Sequence, residues 1–206
     1  MSGIDWRAGA QLLDAASERV GQRADVAWWG MLLFLFNEAA LFATLIATYF
    51  FLGMSSMSWP PPGVAKPTLQ WPLTMTAALL SSSVVLVYGE RGLARGDRRR
   101  YAIGVVGAVM LGLVFLGLQT KEYIEKLATL GPTQNTYGSI FYTITGLHGT
   151  HVAFGILCLV WALVRQRRSQ QTTRSAATTN VALYWHFVDG VWLVILTSLY
   201  LSPRWM

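Results

Sequence analysis

Five long apolar runs constrain this chain more than any other feature of it. They cover residues 27–52, 71–88, 101–119, 138–164 and 181–201, and crossing a bilayer takes roughly 20 mainly apolar residues. Inside hydrocarbon no water meets the backbone N–H and C=O groups, so only helices and closed barrels can span. Barrel strands would show segments of roughly 10 residues alternating in polarity, and stretches such as 31–35 and 156–160 do not alternate. The fold expected is all-α, an integral membrane bundle of five transmembrane helices. Composition supports this, because 13% of the residues are charged where a soluble domain carries about 25%.

The charges that remain lie between the runs. Twelve of the sixteen Lys and Arg residues fall before the first run, between the second and third, and between the fourth and fifth. The other four, Lys66, Lys121, Lys126 and Arg204, fall on the opposite side. Basic residues accumulate on the cytoplasmic side of a membrane, so the N-terminus is expected in the cytoplasm and the C-terminus outside. Residues 1–26 then form a cytoplasmic N-terminal segment and 27–206 the five-helix transmembrane domain. The excess of positive charge is spent on topology, and no nucleic-acid partner is expected. Residues 1–26 contain Asp5, Asp14, Glu18 and Asp25 without an apolar core, which does not read as a signal peptide. Residues 5–20 carry a weak amphipathic pattern suited to a short helix on the inner surface.

Smaller features fit the same frame. Trp28, Trp29, Trp59, Trp71, Trp161, Trp185 and Trp205 sit near the ends of runs, as an interfacial aromatic belt would. Pro60, Pro61 and Pro62 predict a stiff extended connection. Gly104, Ala108 and Gly112 make a small-residue stripe at spacings of four, which lets helix backbones approach closely. A single cysteine, Cys158, allows neither an internal disulfide nor a cysteine metal site. No internal repeat marks the chain as a transporter with inverted halves.

Ionisable groups at lipid depth need a reason to be there. They are Glu38 in the first run, His148 and His151 in the fourth, and His186 and Asp189 in the fifth. At about 1.5 Å per residue, Glu38 lies roughly 17 Å, His151 roughly 20 Å and Asp189 roughly 12 Å from the inner ends of their helices. Such depths would let them converge in one interior cluster. Three uses compete. A haem wants histidines on facing helices, whereas His148 and His151 share one helix. A proton relay is open, since Glu and His chains are typical of pumps. A static hydrogen-bonded lock between helices is also open, and is the reading the residues favour.

Particular stretches then carry a resemblance. The segment Phe36-Asn37-Glu38-Ala39-Ala40-Leu41-Phe42, the turn Gly96-Asp97-Arg98-Arg99 and the stretch Leu118-Gln119-Thr120-Lys121-Glu122-Tyr123 are the first three. The strongest are Tyr137-Gly138-Ser139-Ile140-Phe141-Tyr142 leading to Thr145-Gly146-Leu147-His148-Gly149-Thr150-His151-Val152, and Tyr184-Trp185-His186-Phe187-Val188-Asp189-Gly190-Val191-Trp192. In this order and spacing they resemble the subunit III family of haem-copper oxidases, across every helix. Asn37 departs from the serine more usual before the glutamate. The match is to the last five helices of the seven found in larger members, the short bacterial form.

The resemblance implies a subunit of aerobic respiratory electron transport in a bacterial plasma membrane, with no catalytic residue, metal or cofactor of its own. Haem and copper would reside in partner subunits I and II. This chain would pack on subunit I, bind phospholipid, and support proton uptake and enzyme stability, with a respiratory supercomplex as a further possible setting. By position, Glu38 would be the buried membrane glutamate, and His148 and His151 the helix-four polar motif. Arg165 would meet a lipid phosphate, or simply set topology. The equivalent subunit of a quinol oxidase or nitric oxide reductase stays open, as does a stand-alone proton-linked transporter.

Overall fold

The computed structural model describes residues 6–64, 68–127, 130–168 and 175–204, and side chains from Val26 onward apart from residue 204. Its elements are α1 (Trp6–Met54), α2 (Gln70–Ala94), α3 (Arg98–Leu127), α4 (Thr136–Arg168) and α5 (Ala176–Ile195). The chain continues from α5 through a π-helical turn, Leu196–Leu201, and a short 3₁₀ turn, Ser202–Arg204. Among the described residues, five helices are long and apolar enough to cross a membrane, the first of them over Val26–Met54. Helices α2, α3 and α4 outrun their apolar runs, because Lys, Arg and Glu continue the helix after the lipid-compatible stretch ends. The side chains of the weakly amphipathic segment 5–20 lie outside the described residues.

Helices α2 and α3 form the closest pair. Three glycines make this possible. A Cβ on Gly104 would lie 2.5 Å from the Gly89 Cα, one on Gly92 2.5 Å from the Arg100 Cβ, and one on Gly107 2.7 Å from a Val85 methyl. The turn between the helices uses Gly96 at φ +79°, a left-handed conformation that only glycine adopts freely. Asp97 then starts α3, its Oδ1 accepting from the Arg100 N–H at 3.0 Å.

The small-residue stripe of α3 serves two neighbours. Gly104 meets α2, while a Cβ on Gly112 would lie 2.7 Å from the Trp185 ring. Gly155 of α4 approaches the same indole, with a would-be Cβ at 2.9 Å. Trp185 is wholly buried, and its Nε1–H donates to Ser82 Oγ at 2.9 Å. It belongs to the core rather than to an interfacial belt, since two glycines cut a slot for the ring and a hydroxyl takes its N–H. Trp59 leaves the belt too: it packs edge-on against Tyr49 and Tyr137 with centroids at 5.4 and 5.1 Å.

The proline loop is a turn, not an extended connector. The Val64 N–H reaches the Pro61 carbonyl at 3.1 Å, with Pro62 and Gly63 between them and Gly63 at φ +89°. Pro followed by Gly suits a type II turn. The start of α5 is set by Ser175 and Thr178, which form a reciprocal capping box. Helix α5 is the most enclosed span and α1 the most peripheral, α1 touching chiefly α5 and α4.

Candidate functional site

The five intramembrane groups do not converge. They divide into two polar clusters at different helix interfaces, with His148 between aromatic rings. Glu38 and His151 meet between α1 and α4, whereas His186 and Asp189 meet Ser83 between α5 and α2.

The first cluster joins α1 to α4. Glu38 Oε2 lies 3.0 Å from His151 Nε2, and His151 Nδ1 lies 2.8 Å from the Leu147 carbonyl. A carbonyl can only accept, so Nδ1 carries a proton and Nε2 shares one with the carboxyl. Phe42 sets its ring edgewise on His151 at 5.2 Å. Both polar side chains are 15% exposed, and His151 lines a shallow cavity of about 250 Å³ together with Phe34, Thr150, Phe154 and Tyr184.

His148, three residues from His151, turns instead into the core. It is wholly buried, stacked on Trp192 at 5.3 Å and met by the edge of Phe115 at 5.6 Å. Neither ring nitrogen has a hydrogen-bond partner among the described residues. The two histidines of the motif thus have separate surroundings.

The second cluster joins α2 to α5. The Ser83 hydroxyl lies 2.7 Å from His186 Nδ1 and donates to Asp189 Oδ2. His186 Nε2 is 3.6 Å from Glu90 Oε2. Asp189 is buried, and its Oδ1 has no hydrogen-bond partner among the described residues. His186 keeps a third of its side chain exposed. Ser, His and Asp meet here without forming a nucleophilic triad, because the serine sits between the other two and no base is oriented by the acid.

A third cluster was not singled out from the sequence. Glu122 is 1% exposed and pairs with Lys126 Nζ at 2.7 Å, while the Tyr200 hydroxyl donates to its other oxygen at 3.0 Å. Lys126 also lies over the Phe141 and Tyr200 rings at 4.4 and 4.9 Å. Next to it, Gln119 Nε2 donates to the Thr145 carbonyl at 2.7 Å, and the Tyr123 and Thr145 hydroxyls meet at 2.6 Å. The available signal was Glu122 and Lys126 at i, i+4 just beyond an apolar run.

Arg165 is exposed in the last turn of α4, its guanidinium 5.3 Å from the Trp161 ring centre. That places a cation beside an aromatic at the membrane-boundary end of the helix. Among the described residues no group of three or more His, Cys, Asp or Glu side chains is placed to hold a metal ion. Cys158 is a free, half-buried thiol.

Comparison with known proteins meets these observations. The family described as cytochrome c oxidase subunit III matches residues 19–204. Cytochrome c oxidase subunit 3 of Thermostichus vulcanus is 33% identical over 191 residues, covering 92% of this chain and 94% of the relative. The subunits 3 of Drosophila yakuba and Xenopus laevis are 35% and 34% identical, each over 84% of this chain and 68% of their own length. With five membrane helices, the motifs on α1, α4 and α5 in place, and a match over nearly the whole length, the chain belongs to the cytochrome c oxidase subunit III family.

Proposed function

We infer that this chain works as the third membrane subunit of a haem-copper oxidase of the cytochrome c oxidase type. It has no redox centre of its own; electron transfer and oxygen chemistry belong to the partner subunits I and II, which hold haem and copper. The observation that carries this reading is the family match over residues 19–204. The subunit packs on subunit I in a bacterial plasma membrane, N-terminus in the cytoplasm, supported by the twelve-to-four division of basic residues. It supports proton uptake and enzyme stability from beside the catalytic subunit.

Within it, Glu38 and His151 lock α1 to α4 through their shared proton. The support is the 3.0 Å contact with a backbone-anchored imidazole. The cavity beside that pair takes a phospholipid chain, with Arg165 holding a phosphate at the end of α4, where a cation suits an anionic headgroup. His148 fills the aromatic core, and His186 and Asp189 join α5 to α2.

The test is a mild-detergent pull-down of the tagged chain with a reduced-minus-oxidised visible spectrum of the product. Haem bands with larger membrane subunits are the expected result, and their positions identify the enzyme as a cytochrome c oxidase, quinol oxidase or nitric oxide reductase. A colourless single protein active in proton-linked transport would overturn the reading.

A further inference from the structure

The three histidines of this chain differ in what their ring nitrogens meet. His151 commits Nδ1 to the Leu147 carbonyl at 2.8 Å, and a carbonyl cannot pass a proton on. His148 has no hydrogen-bond partner at either nitrogen among the described residues. His186 alone sets both nitrogens toward groups that exchange protons. Its Nδ1 lies 2.7 Å from the Ser83 hydroxyl, and its Nε2 lies 3.6 Å from Glu90 Oε2, a gap that one water spans. An imidazole that takes a proton at one nitrogen and gives one up at the other is a shuttle.

Inward, the row of groups ends on a carboxyl. Ser83 donates its single proton to Asp189 Oδ2, so its oxygen accepts from the His186 Nδ1–H. Asp189 is buried, and its Oδ1 has no partner among the described residues. A carboxylate so enclosed carries an uncompensated charge at lipid depth, and one proton removes that charge. Outward, the row reaches the end of α2: at about 1.5 Å per residue, Ser83 lies about 16 Å and Glu90 about 6 Å from Ala94. Ser83 and His186 also share a cavity of about 610 Å³ with Val84, Val87, Tyr88 and Arg91. Arg91 stands in the last turn of α2, and a guanidinium on the lining keeps water in this part of the cavity. The ionisable groups around His186 are therefore Asp189 from its own helix and Tyr88, Glu90 and Arg91 from α2.

We propose that Glu90, His186 and Ser83 form a proton relay that loads Asp189 from the arginine-rich end of α2. His186 takes a proton at Nε2, from Glu90 or from water. It passes its Nδ1 proton to Ser83 Oγ while Ser83 passes its own to Asp189 Oδ2. The hydroxyl is re-formed, the imidazole ends neutral with its proton on Nε2, and Asp189 ends as a neutral acid. One proton enters, and no bond between heavy atoms changes. The contacts that join α5 to α2 thereby also store a proton. The inference deepens the proton-uptake role proposed above and is tested apart from it, because every group in the relay belongs to this chain.

The experiment uses the full chain in lipid nanodiscs, with its aspartates isotopically labelled in the side-chain carboxyl. Infrared spectra are recorded as water is replaced by heavy water. The other aspartates are Asp5, Asp14 and Asp25, ahead of the first apolar run, and Asp97 in the turn between α2 and α3. A protonated, isotope-shifted carboxyl band at neutral pH is therefore expected from Asp189, and its loss in Asp189→Asn checks the assignment. In the unaltered chain this band shifts promptly in heavy water. Ser83→Ala and His186→Phe are each expected to slow the shift about tenfold or more, since deuterium must then await local opening. Ser83→Thr, which restores a hydroxyl, is expected to restore the rate. Thr76→Val removes the partner of the Trp192 N–H between the same two helices without touching the relay, and is expected not to slow the shift. Absence of the band, or exchange in both Ser83→Ala and His186→Phe as fast as in the unaltered chain, would overturn the relay. An equal slowing by Thr76→Val would overturn it too. A chain that purifies with haem-bearing subunits but lacks the band loses the relay and keeps the oxidase role.

Discussion

Helices α1 and α2 flank the same helix, α5, and are attached to the bundle in different ways. Between α2 and α5 runs a ladder of hydroxyls: Thr76 accepts from Trp192 Nε1–H at 2.9 Å, Ser82 from Trp185 Nε1–H at 2.9 Å, and Ser83 bridges His186 and Asp189. Each rung joins a small side chain to a large one, so the helices stay close while the indole N–H groups of Trp185 and Trp192 are both satisfied. Helix α1 has the Glu38–His151 bond to α4 and the Asn180 amide donating to the Ala27 carbonyl at 3.1 Å. A conspicuous intramembrane acid need not mark the strongest junction. Modest hydroxyls facing tryptophans are expected to hold the bundle more firmly, because ring burial and hydrogen bonding act at one place.

The largest expected effect tests the ladder at its best-packed rung. Trp185→Ala empties the slot between Gly112 and Gly155 and leaves Ser82 without its partner, a loss of about 3–5 kcal/mol on the scale of large-to-small core changes. Thermal unfolding in detergent reads it, and a drop as small as that of a surface substitution would refute the ladder's primacy. Glu122→Leu comes next, at about 3 kcal/mol, since Lys126 would keep a charge in a largely enclosed site; the same melting assay checks it, with Glu122→Leu/Lys126→Met expected to recover most of the loss.

Ser83→Ala removes the bridge between His186 and Asp189, and intramembrane hydrogen bonds of this kind contribute about 0.6–1.7 kcal/mol. Glu38→Gln is expected to be the mildest, below about 0.6 kcal/mol, because an amide still bonds to His151. The oxidase should assemble and turn over with this change. Should Glu38→Gln prove more damaging than Ser83→Ala, by melting point or by recovery of the complex, the comparison between α1 and α2 reverses.

Much of this architecture was legible in advance because lipid leaves so few choices. Five apolar runs had to become five helices, and Gly104, Ala108 and Gly112 had to face a neighbour. Direction around the helix axis was harder. His148 and His151 are three residues apart, about 60° short of a full turn, and that angle sends one into the core and the other to Glu38. Nothing local distinguishes Trp185 from an interfacial tryptophan; its role depends on Gly112 and Gly155, which lie on other helices. Glu122 escaped attention because it follows an apolar run, where a glutamate ordinarily faces water. Only the return of the chain through Tyr200 encloses it.

That return depends on the π-helical turn at Leu196–Leu201. An ordinary α-helix advances its faces in constant phase, and the outward stripe of α5, which runs through Leu183, His186, Phe187, Gly190, Val194 and Thr197, would continue. The wider turn slips the phase, so that Ser198, Leu199 and Tyr200 are all buried in succession. The outward stripe from Leu183 to Thr197 thereby has a fixed length, roughly 21 Å at the rise of an α-helix. Helix α5 acts as a ruler: whatever surrounds the bundle meets an unbroken outward track for that distance, and the track stops at the slip.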